Sequence, residues 1–271
     1  MTKSPSNKNI LIIILLLLHI CWSQMAQTYP PLNLVSIPTA GTLPRGTYTI
    51  EALLSKNGGF TPKLSVGFTD NFSFGVSFGV QKLIGNDSLY FNKNTPEIQI
   101  KYRVFEESHS MPALVYGLDT QGRGTYTDTL ISNSDSVITI NRYEQKAWGM
   151  YLVVSKNWSF FGNLGLHVGL CKSIFENDDG DKDWNVLLGI DKELNRSFSL
   201  LIEYDFALND DNNEYALNVI SFGEGKGYLN AGIRWAVSSN LMMEINLNDI
   251  NQNTDAEYTN REIKLMYSES F

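Results

Sequence analysis

The chain has 271 residues, 43% of them apolar and only 18% charged, with a formal net charge of −8. An acidic chain without clustered Lys and Arg excludes recognition of a phosphate backbone, so no nucleic acid partner is expected. The apolar fraction excludes a disordered chain, and the abundance of Tyr, Phe, Trp, Gly and Asn favours strands and turns over helices.

Residues 1–26 read as a cleaved signal peptide. Lys3 and Lys8 supply a positive start, Ile10 to Ile20 an apolar run broken only by His19, and Ser23 and Ala26 the small residues of an exit site. Cys21 is not read as a lipid anchor, because Ile20 is bulky where lipidation needs a small residue. Loss of the leader leaves Cys171 as the single cysteine, which excludes an internal disulfide and a cysteine-based metal site. Residues 27–45 are Pro-rich and irregular and read as an N-terminal periplasmic segment.

From residue 46 to residue 271 the chain alternates apolar and polar residues, segment after segment. In Phe72–Val80 one face is Phe72, Phe74, Val76, Phe78 and Val80, and the other is Ser and Gly. Period-2 alternation predicts strands with two unlike faces. Twelve such segments are predicted, at 47–54, 62–69, 72–81, 95–104, 112–120, 143–155, 160–171, 183–191, 197–206, 227–237, 241–248 and 261–271. Many are about ten residues, the length that crosses a bilayer obliquely.

The predicted links alternate in length. Short ones fall at Asp70-Asn71, 105–111, 157–159, 194–196 and 238–240, and long ones near 55–61, 82–94, 121–142, 172–182, 207–226 and 249–260. Short periplasmic turns and long external loops are the pattern of an outer-membrane barrel. Residues 121–142 read as a hairpin extending above the membrane. The fold expected is therefore an all-β, antiparallel transmembrane β-barrel of about twelve strands in the bacterial outer membrane. The alternation of Ile263, Leu265, Tyr267 and Phe271 at the C-terminus resembles the sorting signal read by the barrel-assembly machinery.

In such a barrel the charged strand faces must point inward. The predicted lumen-lining residues are Lys101, Arg103, His167, Glu203, Arg234, Glu244 and Lys264, with Arg234 set beside Glu244 and Lys264. Tyr102, Tyr151, Trp158, Trp184, Tyr204, Trp235 and Tyr267 are expected in the interfacial aromatic girdles. His167 has Ser173 nearby in sequence and Glu203 two strands away, but no motif links them, and no catalytic residue is assigned. The acidic runs Glu176–Asp183 and Asp210–Glu214 read as solvated external loops. Asp179, Asp181 and Asp183 have the spacing of a calcium loop, but Trp184 stands where its Gly belongs and Ile190 where its Glu belongs, so no metal or other cofactor is expected.

Several stretches resemble the YjbH-type outer-membrane family, which is associated with exopolysaccharide production. They are Ile37–Gly41 with Pro44 and Gly46, Lys101-Tyr102-Arg103 before Glu106-Glu107, Ser155-Lys156-Asn157, Gly189–Leu194, Glu203-Tyr204-Asp205 before Asn209-Asp210, Gly227–Trp235, and Asn260-Arg261-Glu262. The resemblance spans nearly all of residues 34–271 and is most specific at Gly227–Trp235. It implies an outer-membrane barrel, without catalytic residues, acting in polysaccharide secretion or surface presentation. Its expected partners are outer-membrane lipids, lipopolysaccharide, and an exopolysaccharide or its export proteins. A small general porin, a structural barrel, a hydrolase using His167 and a secreted β-sandwich are the alternatives.

Overall fold

The structure is a computed structural model that describes residues 31–84, 88–131, 137–214, 219–254 and 258–271. The predicted signal peptide lies outside them. The strands are β1 (Thr47–Ser55), β2 (Gly59–Thr69), β3 (Phe72–Ser77), β4 (Val80–Gln81), β5 (Tyr90–Phe91), β6 (Glu97–Phe105), β7 (Ala113–Asp119), β8 (Arg123–Ile131), β9 (Val137–Gln145), β10 (Gly149–Ser159), β11 (Asn163–Lys172), β12 (Asn185–Glu193), β13 (Phe198–Asp205), β14 (Tyr228–Ala236), β15 (Leu241–Asn248) and β16 (Asn260–Ser270).

Twelve of these strands form one antiparallel cylinder, in which β3 pairs with β6, β7 pairs with β10, and every other barrel strand pairs with its neighbours in sequence. The cylinder closes because β1 pairs with β2 on one side and with β16 on the other, from Thr47↔Ser270 to Leu54↔Ile263. Closure leaves no open sheet edge, the condition for a sheet to sit in hydrocarbon. At the seam the Phe271 N–H donates to the Gly46 carbonyl at 2.8 Å.

The two faces separate cleanly. Ile50, Leu64, Tyr116, Leu152, Val168, Ile190, Ile202, Ile233, Ile245 and Leu265 point outward and are each about two-fifths exposed or more. A continuous apolar belt of this extent is untenable in water and requires lipid. The inward face carries Ser, Thr, Asn, Gln and charged side chains, nearly all buried. Around the belt, Tyr102, Trp158, Trp184, Trp235 and Tyr267 are exposed near strand ends, as girdle residues should be. Tyr151 is different: it points inward, is 3% exposed, and fills the space beside Gly117.

The structure moves several predicted boundaries. The link over 55–61 is short, a single turn at Lys56–Gly58, because Asn57 adopts a positive φ of 57° and the strands run on to either side. The predicted strand 72–81 breaks after Ser77, where Pro62 of β2 accepts from Phe78 N–H but has no N–H to return. The predicted strand 143–155 starts at Gly149 instead, since residues 143–145 belong to the β8–β9 hairpin. The turn predicted at 157–159 lies at 160–162, where Gly162 takes a φ of 96°.

Residues 31–45, expected on the periplasmic side, run inside the barrel. They form a tight reversal, with Leu34 N–H bonded to the Ile37 carbonyl at 3.0 Å and Thr39 N–H to that of Leu32 at 3.1 Å. Leu34, Val35 and Ile37 are fully buried against Val115, Tyr151, Val153, Leu187 and Leu201 of β7, β10, β12 and β13. One wall of the lumen is therefore dry. Burying three branched apolar side chains contributes about 1.5–3 kcal/mol each, and this holds the segment in the barrel as a strap.

Candidate functional site

The strap has no side-chain charges between Pro31 and Pro44, so its backbone polar groups need partners from the wall. Glu203 of β13 supplies them at the tip. Its carboxylate accepts from Ser36 N–H at 2.9 and 3.0 Å, from Ile37 N–H at 3.1 Å, and from the Ser36 hydroxyl. Asn230 of β14 steadies the same carboxylate at 2.8 Å. Cations meet the strap carbonyls. Lys264 Nζ donates to Leu34 and Val35 at 3.1 Å, and Arg234 Nη2 to Asn33 at 2.8 Å. Lys101 Nζ donates to Leu32, and to Thr39 and Gly41 at 3.2 and 3.4 Å.

Glu244 balances the cations from behind. Arg234 Nε lies 2.6 Å from Glu244 Oε1, and Lys264 Nζ lies 2.7 Å from Oε2. The three side chains come together because β14, β15 and β16 pair Arg234↔Glu244 and Glu244↔Lys264 directly. Paired charges tolerate burial that an isolated one would not.

A second insert enters from the long-loop side. The base of the β8–β9 hairpin, predicted to stand above the membrane, folds over the lumen, and Ile140, Arg142 and Tyr143 are completely buried. Tyr143 donates to Glu97 of β6 at 2.9 Å. Arg123 reaches further. Its Nη1 meets Glu262 at 2.5 Å and its Nη2 donates to the Val35 carbonyl at 2.7 Å. The external insert and the strap thus touch at Arg123.

The acidic loops expected to be solvated are in part buried. Arg142 Nη1 binds Asp179 and Asp210, each at 2.7 Å, while Nη2 donates to Asp210 at 2.8 Å. Lys146 lies 2.6 Å from Asp179. These contacts tie three external loops into one cover. Burial favours the neutral guanidine, but Asp210 and Asp179 outweigh it and hold Arg142 firmly charged. Glu176, 1% exposed, is pushed up to about 7 by burial. Its Oε2 accepts from Ala147 N–H at 3.1 Å, and Oε1 has no protein partner.

The remaining predicted residues lie toward the short-link end. Arg103 donates to the Asp70 carbonyl at 2.9 Å and to Asn71 Oδ1 at 3.3 Å. His167 faces the lumen, but its partners are neither Ser173 nor Glu203. Its Nδ1 lies 2.7 Å from Ser155 Oγ and its Nε2 lies 2.7 Å from Asp191 Oδ1. Ser155 stands opposite His167 in the β10–β11 ladder, whereas Ser173 sits beyond the end of β11. Among the described residues no group of three His, Cys, Asp or Glu side chains is arranged to hold a metal ion.

No protein family and no curated protein matches the chain. Among solved structures the chain is similar to a KdgM porin, with a TM-score of 0.47 and 11% identity over 83% of this chain and 99% of that one. The KdgM porin in complex with disordered oligogalacturonate gives 0.49 and 11% over the same shares. Outer membrane protein Omp33 of Acinetobacter baumannii gives 0.41 and 7%, over 83% of this chain and 97% of that one. The closed cylinder of twelve strands, its lipid-requiring belt and its aromatic girdles make this chain a β-barrel of the bacterial outer membrane.

Proposed function

We propose that this barrel works in the export or surface presentation of an exopolysaccharide and is held closed at rest by its own N-terminal strap. The observation that carries the reading is where the family-resembling residues fall. Ile37–Gly41 is the strap itself. Lys101, Ser155, Glu203 and Arg234, each inside a different resembling stretch, bond it directly. Glu262, from another, holds Arg123 on the Val35 carbonyl. The stretches that resemble an exopolysaccharide-associated family thus include residues that bond the strap across this lumen, which supports the reading. The reading needs no catalytic step. Its partners are the polysaccharide and its export proteins, with lipid and lipopolysaccharide against the outer belt and the assembly machinery at the C-terminal strand.

The experiment is deletion of the gene in its exopolysaccharide-producing host, complemented with the intact chain or with Glu203→Ala. Loss of surface-retained or secreted polysaccharide, restored by the intact chain, is the expected result. Unchanged amounts in both fractions overturn the reading. A small general pore is the second reading: it keeps the same barrel, and steady current through the purified intact chain favours it.

A further inference from the structure

Beneath the strap, at the short-link mouth, lies a cavity of about 360 Å³. Ser155, His167 and Asp191 line it, together with Arg103, Asn157 and Asn163. This volume suits a small organic molecule. The three named first are brought together by neighbouring strands. Ser155 and His167 are cross-strand partners, and Asp191 pairs with Gly165, two residues from His167 on the same face. Gly165 is required there. A Cβ at that position would lie 2.1 Å from Asp191 Oδ1, so any other residue would displace the carboxylate from the ring.

The two contacts of the ring are compatible with one order of proton transfer. An ionised Asp191 only accepts, so a neutral His167 carries its hydrogen on Nε2 and leaves Nδ1 to accept from the Ser155 hydroxyl. This is the donor order of a serine nucleophile, its base and the base's orienting acid. The ring is used the opposite way round from the serine proteases, but either nitrogen can serve as the base. Ala40 N–H donates to Ser155 Oγ at 2.8 Å and stabilises negative charge on that oxygen as its proton leaves. Arg103 lines the same cavity together with Glu107 and with Glu106, which lies 3.8 Å from its Nη2.

We propose that Ser155 is the nucleophile of an acyl-ester hydrolase at the periplasmic mouth, with His167 as general base and Asp191 as its positioning residue. The substrate class is a carboxylic ester of a small, hydroxyl-rich alcohol, since Asn157, Asn163, Arg103, Glu106 and Glu107 make the lining polar and the cavity admits only a short acyl group. Ser155 Oγ bonds to the carbonyl carbon as its proton passes to His167 Nδ1. The ester C–O bond then breaks, and the leaving alcohol takes that proton. Water repeats the sequence on the acyl-serine and releases the acid, so one ester and one water give one acid and one alcohol. This activity stands apart from the polysaccharide reading and survives its failure.

The test uses the full chain refolded in detergent, with heat-modifiable gel mobility reporting an intact barrel and a fluorophosphonate as the probe. The expected result is a covalent adduct on Ser155, located by peptide mass spectrometry, with labelling lost in Ser155→Ala and slowed at least 100-fold in His167→Ala. Asp191→Asn slows labelling by up to roughly 10⁴-fold and moves its pH profile, which a merely structural contact would leave in place. No adduct on an intact barrel, or labelling that survives His167→Ala, overturns the proposal. If His167→Ala loses the barrel, wild-type labelling decides: a rate that follows a single titrating base supports it, and a rate flat with pH overturns it.

Discussion

Replacing Glu203 by Ala should free the tip of the strap while leaving the barrel intact. In the wild type this carboxylate accepts two backbone N–H groups of the strap, those of Ser36 and Ile37, and is 1% exposed. A hydrogen bond to a charged group contributes about 1.5–3 kcal/mol, so losing both acceptors costs roughly 3–6 kcal/mol before water enters the vacated space. At 1.4 kcal/mol per tenfold change, local opening of the tip becomes about 10²- to 10⁴-fold more frequent. Native-state hydrogen exchange on a peptide covering residues 31–45 reads this directly. Protection of Ser36 and Ile37 should fall by that factor, and Glu203→Gln, which keeps one acceptor oxygen, should lie between. Wild-type protection in an intact Glu203→Ala barrel would refute the clamp.

Other consequences follow from the same contacts. Arg234→Ala leaves Asn33 without its donor and Glu244 with Lys264 as its one remaining cation, and should cost roughly 3 kcal/mol in urea unfolding in detergent. Tyr151→Ala empties the space beside Gly117 and should cost about 3–5 kcal/mol by the same assay, whereas a girdle residue would cost little. Glu176 ionises near 7 when buried and near 4.5 when free. Its contribution to loop closure is therefore complete below about pH 4.5 and lost as pH rises through about 7, a change of about 3 kcal/mol. Trp148 fluorescence, next in sequence to the Ala147 contact, should follow that titration, and Glu176→Gln should flatten it.

The cylinder was legible because lipid outside and polar groups inside impose one alternation on every strand. Glu97, Gln99 and Lys101 point inward while Ile98, Ile100 and Tyr102 point outward, and the sequence shows this without help. Legibility fails where both faces are apolar. Met150-Tyr151-Leu152-Val153-Val154 offers no parity, so Tyr151 could be placed outward although it packs inside. The strap was illegible for a different reason. It has no periodicity, and its clamp is Glu203, 167 residues beyond Ser36. Burial of Asp179 and Asp210 likewise depends on Arg142, 37 and 68 residues distant. The clue in the sequence was the pair Arg142 and Lys146, four residues apart and ahead of the acidic run Glu176–Asp183. For His167, lumen-facing parity was readable, but its partners Ser155 and Asp191 are set by strand register, which the misplaced turn at 160–162 concealed.

The most direct measurement is current across a planar bilayer for the intact chain and for a variant lacking residues 31–42, each first shown by its heat shift to be a folded barrel. A strap that fills the lumen predicts little or no steady current through the intact barrel and a clear increase through the deletion variant. The same current through both proteins would contradict the central claim that this barrel is closed by its own N-terminal segment.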